Sequence, residues 1–90
     1  MKHEDVIVEL QDAARQLGVN VRFEKGDFEG GFCLLRTERV VLVNKRLLPA
    51  RRASVLAQAL HEVGLENVFL KPAVREYIED EVARALRASR

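Results

Sequence analysis

Apolar residues along this chain change their period repeatedly, and each change marks an element. Over residues 3–17, Val6, Leu10, Ala13, Ala14 and Leu17 recur at helical spacing with Ile7 beside them. Glu4 and Asp5 stand at the start, where acids suit the helix dipole, and Gly18 follows the last periodic leucine as a C-terminal cap should. The period then shortens to two. Val19, Val21 and Phe23 alternate with Asn20, Arg22 and Glu24, the signature of a half-buried strand. Lys25-Gly26-Asp27 breaks it, and Gly30-Gly31 leads into a second strand over Phe32–Arg36, with Phe32 and Leu34 on one face and Cys33 and Leu35 on the other. Thr37-Glu38 marks a turn. Val40–Val43 is apolar on both faces and rich in β-branched residues, as a central strand should be. The second and third strands are close enough for a hairpin; Thr-Glu suits a two-residue turn poorly, so a longer loop is expected.

Pro49 opens a second helix, whose buried stripe is Ala53, Leu56, Ala59, Leu60 and Val63, and Gly64 ends it. Val68-Phe69-Leu70 reads as a short fourth strand. Pro72 then opens a third helix with Val74, Tyr77, Ile78, Val82, Ala85 and Leu86 on its apolar face. The order α-β-β-β-α-β-α predicts a single α+β domain over residues 1–90, a small three- or four-stranded sheet with three helices packed on one face. The other sheet face then matters: an apolar face needs a partner chain, whereas a polar one permits a monomer.

Composition narrows the partners. Fifteen Lys and Arg nearly balance fourteen Asp and Glu, so no global field draws in nucleic acid or an anionic membrane. No recognition helix or aromatic stacking surface is visible either, which argues against a nucleic-acid partner. The single cysteine, Cys33, forbids an internal disulfide and fits a reducing compartment. The opening MKHEDVIVEL turns acidic at once, without the apolar core of a signal peptide, and no stretch has the apolar length of a membrane span. A cytoplasmic location is expected. Ninety residues give one small core and little room for a deep cleft, so a homodimer is expected because it would bury more apolar surface.

Four places carry candidate chemistry. In ALHEVGLEN, His61 and Glu62 spell the first half of HExxH, the helix motif that holds zinc between two histidines one turn apart. Leu65 stands where the second histidine would be, beyond Gly64, and the only other histidine is His3. The alternative is that His61 suits a helix C-terminus by its charge. The strand-to-helix connection gathers Lys45, Arg46, Arg51 and Arg52, the one local charge bias in the chain. Arg51 and Arg52 fall in the first turn of a helix, where cations oppose the dipole, and this suggests an anionic ligand or else a solvated basic patch. Gly30-Gly31 before Cys33 could admit a ligand to the backbone, or simply meet a turn's need for positive φ around a structural cysteine. Arg75 and Tyr77 could contact a ligand, but fit a surface cation and a core aromatic with its hydroxyl at the rim.

GDFEGGFC, VVLVNKRLL and LENVFLKPAVREYI together resemble blocks of a family of short uncharacterised bacterial proteins of about this length, over Leu17 to Ile78. That resemblance implies no particular activity. VVLVNKRLLPARRASVLAQALHEVG is similar in layout to the core of ImmA/IrrE-type zincin peptidases, where a hairpin ending in an Asn-containing strand precedes the HExxH helix. His61 and Glu62 match the first His and the Glu, and Leu65 replaces the second His. The resemblance implies shared topology and a degenerate site. No complete catalytic constellation can be assembled, and no cofactor or metal site is expected. The expected function is a non-catalytic binding or interaction module that self-associates. The alternatives are a degenerate metallopeptidase-like domain binding metal or peptide near His61 and Glu62, and an anion or nucleotide binder at the basic connection.

Overall fold

Three helices and three strands carry these periods: α1 (His3–Gln16), β1 (Asn20–Glu24), β2 (Gly30–Leu35), β3 (Glu38–Asn44), α2 (Pro49–Val63) and α3 (Pro72–Ala88). The computed structural model describes residues 1–89; of the expected single domain only Arg90 lies outside them. The helix ends fall where their punctuation stands. Gly18 and Gly64 take φ of 69° and 108° just past α1 and α2, a region that favours glycine. Pro49 and Pro72 sit at the first helical positions, after the extended residues Leu48 and Lys71.

The sheet order is β1-β3-β2, with β3 in the centre, parallel to β1 and antiparallel to β2. Val40–Val43 is therefore central, as its apolar character on both faces requires. Because β3 lies between β1 and β2, residues 25–29 must cross the end of β3 to join them. Asn44, the last residue of β3, ties that crossing down. Its Nδ2 donates to the carbonyls of Gly26 (2.8 Å) and Phe28 (2.7 Å), and its Oδ1 accepts from the Arg46 N–H (3.0 Å). Its own N–H donates to Glu29 O at 2.9 Å. A side chain that offers both donors and acceptors is needed here, and Asn44 is buried at 7 % exposure with every one of those groups matched.

Two expectations are corrected. The β2–β3 hairpin closes through two residues, Arg36 and Thr37, between the paired Leu35 and Glu38. Arg36 takes φ of 59°, which costs a non-glycine residue roughly 1 kcal/mol. The register sets Phe32 of β2 beside Val41 on the helix side, and a slip of β2 by one residue would turn Phe32 away from the core. Val68–Leu70 is not a strand. The amide of Gln16 takes both backbone groups of Phe69: Oε1 accepts from its N–H (3.0 Å) and Nε2 donates to its C=O (3.2 Å). A side chain at the end of α1 thus supplies what a neighbouring strand would have.

All three helices lie on one side of the sheet, in two layers. α1 and α2 cover Val41 and Val43, with Val21, Phe23 and Phe32 beside them, while α3 packs on α2 and α1 and not on the strands. α2 is enclosed by the sheet, α1 and α3, so Ala53, Ser54, Val55, Leu56 and Ala57 are buried in succession. Small side chains on several faces let three neighbours approach one helix. Leu10, Leu56, Leu60, Val74 and Ile78 fill the space between the layers.

Candidate functional site

Two adjoining openings of similar size lie along the seam of α2 and α3. One is a cleft of about 440 Å³ with Arg51, Ser54 and Gln58 of α2 on one wall and Glu81, Arg84 and Ala85 of α3 on the other. Ser54 is buried in the apolar stripe of α2, and its Oγ accepts from Gln58 Nε2, one turn on, at 2.9 Å. Glu81 faces Arg84 at 3.6 Å. Tyr77 stands at the end of the cleft, with the His3 ring edge-on at 6.4 Å between centroids.

Arg51 links this cleft to the sheet. Its Nε and Nη2 donate to Glu29 at 2.8 and 2.5 Å, a two-pronged pairing across 22 residues of sequence. That bond holds the Glu29 carboxyl below the usual carboxylate range and raises Arg51. The unfavourable placing of a cation in the first turn of α2 is answered from the sheet. The basic connection is thus not one site. Lys45 and Arg46 are exposed on the connection, Arg51 turns to Glu29 and the cleft, and Arg52, one position round the helix, is half-buried with its Nε unpartnered.

The remaining candidates separate too. His61 and Glu62 are exposed on the last turn of α2, which ends at Val63; Leu65 lies past Gly64 and packs into the core at 9 % exposure. His61 faces a recess with Glu66, Arg75 and Glu79, while Glu62 faces the β2 side. Among the described residues no three His, Cys, Asp or Glu side chains come close enough to hold a metal ion. Gly30 is a packing glycine: a Cβ there would lie 2.3 Å from Leu42 O and 2.8 Å from Val55 Cγ1. Cys33 is half-buried on the opposite sheet face. Arg75 is exposed, and Tyr77 is a partly buried aromatic against the core.

No protein-family model, curated protein or solved structure matches the chain. Geometry and surface chemistry carry the functional reading.

Sequence reasoning missed Ser54, Gln58, Glu81 and Arg84. One signal was present, a serine inside an apolar stripe with a glutamine one turn later. Nothing in the sequence placed Glu81 beside them. As the chain's only tyrosine, Tyr77 reports on this cleft directly. Burial, and then the nearby Glu81, push its hydroxyl up to about 12. Its folded value lies above the unfolded one of ~10, so the stability it contributes is complete below pH ~10 and is lost as pH rises through the folded value. The tyrosinate absorbance is expected to appear with a midpoint near 12. A midpoint at the unperturbed value would show that Tyr77 is solvated.

The uncovered sheet face is divided. On its β1 side Arg22 pairs with Glu24 at 2.6 Å, and Asn20 donates to Glu38. On its β2 side lie Leu42, Gly31, Cys33 and Leu35. The two edges differ in the same way: β1 carries Arg22 and Glu24, whereas β2, GGFCLL, has no charge and no proline. Leu34 and Leu35, at 63 and 44 % exposure, end β2 on opposite faces, and Phe28, at 36 %, lies among the residues leading into it. Among the described residues no helix is long and apolar enough to cross a membrane.

Proposed function

We propose that the chain is a small non-catalytic interaction module that associates with itself. The observation that carries this reading is the uncharged β2 flank of the sheet, with Leu34 and Leu35 exposed at the end of the strand and Phe28 exposed before its start. Sheet edges offer unpaired donors and acceptors, and proteins that stay monomeric blunt them with charge, proline or a covering element. β1 has the charges and β2 has none. The α2–α3 cleft supports a binding role less well than this flank, because Arg51 is already held by Glu29 and Arg84 faces Glu81. Size-exclusion chromatography with light scattering at micromolar concentration is expected to give twice the chain mass. A strict monomer throughout that range would refute the reading.

A further inference from the structure

The edge strand itself specifies how two copies would meet. Glu29 and Asn44 are joined by the Asn44 N–H, so they form a hydrogen-bonded pair, and alternation along the ladder assigns the residues after them. Gly31, Cys33 and Leu35 turn their backbone groups toward β3. Gly30, Phe32 and Leu34 turn theirs outward to the free edge.

Gly30, Phe32 and Leu34 also share the helix-facing side of the sheet, where α2 covers them unequally. At the Gly30 end, a recess of about 170 Å³ lies at the strand edge, lined by Gly30, Val55 and Ala59 together with the polar Glu29, Arg51, Gln58 and Glu62. At the other end Leu34 is uncovered, with 63 % of its surface exposed. Knob and hole thus lie four residues apart on one edge, on the same face.

Resting on the reading that the chain self-associates, we infer that two copies join β2 to β2 antiparallel about a twofold axis through Phe32, each Leu34 entering the recess beside Gly30 of the other copy. In this register every outward-facing backbone group from Gly30 to Leu34 finds a partner, and the two three-stranded sheets become one of six strands. The twofold makes the contact self-complementary and closed. Charge agrees with the direction. The uncharged run is flanked by Asp27 before it and by Arg36 after it, so antiparallel pairing brings the acidic start of one strand to the basic end of the other. A parallel pairing would set like against like. An interface of one strand and one knob falls toward the small end of specific contacts, which suits a dimer that dissociates in the micromolar range.

Leu34→Glu tests the knob in the full chain. It is expected to weaken dimerisation at least ~100-fold, leaving a monomer with unchanged circular dichroism, because a carboxylate would meet Glu29 and Glu62 at the recess and give up Leu34's contact with Val55 and Ala59. Leu86→Glu, equally exposed on α3, is expected to remain dimeric. The register places Gly31 opposite Cys33 of the second copy, on the open face, where a side chain at Gly31 meets nothing within 4 Å. Gly31→Cys is therefore expected to give an interchain disulfide on mild oxidation, while the wild type, with Cys33 displaced from its twin, is not. A wild-type dimer that survives Leu34→Glu, or that links through Cys33 alone, overturns this arrangement and leaves self-association standing. A wild-type monomer overturns both, and if the edge then binds an extended peptide through Leu34, its occupant is a foreign strand.

Discussion

Gly30→Ala is expected to cost at least ~3 kcal/mol and to lower the melting temperature by at least ~12 °C, whereas Gly31→Ala is expected to be nearly neutral or slightly stabilising. The two glycines are neighbours in sequence and differ in every physical respect that matters. Gly30 has φ of 148°, and the first atom a Cβ would meet is a backbone oxygen, that of Leu42 at 2.3 Å, which cannot move without disturbing β3. Val55 on α2 closes the other side at 2.8 Å. The only relief is to part α2 from the sheet, and α2 is the helix around which the other layers are built. Gly31 has ordinary backbone angles and open space, so a methyl group there mainly reduces the freedom of the unfolded chain. Urea or thermal unfolding of the two variants measures the difference directly. Equal losses at the two positions would show that α2 does not lie against Gly30.

Asn44→Ala is expected to cost ~2–4 kcal/mol. The change removes three side-chain hydrogen bonds, each worth about 1 kcal/mol, and leaves the Gly26 and Phe28 carbonyls and the Arg46 N–H unmatched in a partly buried place. Asn44→Asp is expected to be worse at neutral pH although it keeps the shape, because a carboxylate would face two carbonyl oxygens in place of the amide's donors. Acidification should restore part of that loss, since a protonated carboxyl can donate one of the two bonds. Denaturant midpoints for both variants across acid and neutral pH test this. If Asn44→Asp matched the wild type at neutral pH, the crossing at residues 25–29 would not depend on the amide.

That β1 and β2 lie on opposite sides of β3, joined by a crossing, could not be read from the chain, and Asn44 shows why. An asparagine ending an apolar strand reads as punctuation. Only with β3 between β1 and β2 does the chain need an anchor where residues 25–29 pass over, and that insertion is a non-local event. The turn at Arg36-Thr37 escaped for a related reason. Its residues suit a tight turn poorly, and the register that enforces it comes from Phe32 facing the helices beside Val41. At the cleft, Arg51 was legible as a misplaced cation in a first helical turn, but its partner Glu29 was not, because no spacing rule relates residues 22 apart across a sheet and a helix.

By itself the sequence determined where the helices begin and end, because Gly18, Pro49, Gly64 and Pro72 act through their own backbone geometry whatever surrounds them. It also determined which faces are apolar, that β3 is central, and that Phe32 and Leu34 oppose Cys33 and Leu35. The tertiary structure alone decided the rest. Val68–Leu70 has the composition of a strand, yet Gln16 satisfies Phe69 and no ladder forms. The basic connection has the composition of an anion site, yet packing sends Arg51 and Arg52 different ways. Local backbone preference travels with the residue; hydrogen-bond partners and exposed edges depend on which distant segments arrive beside it.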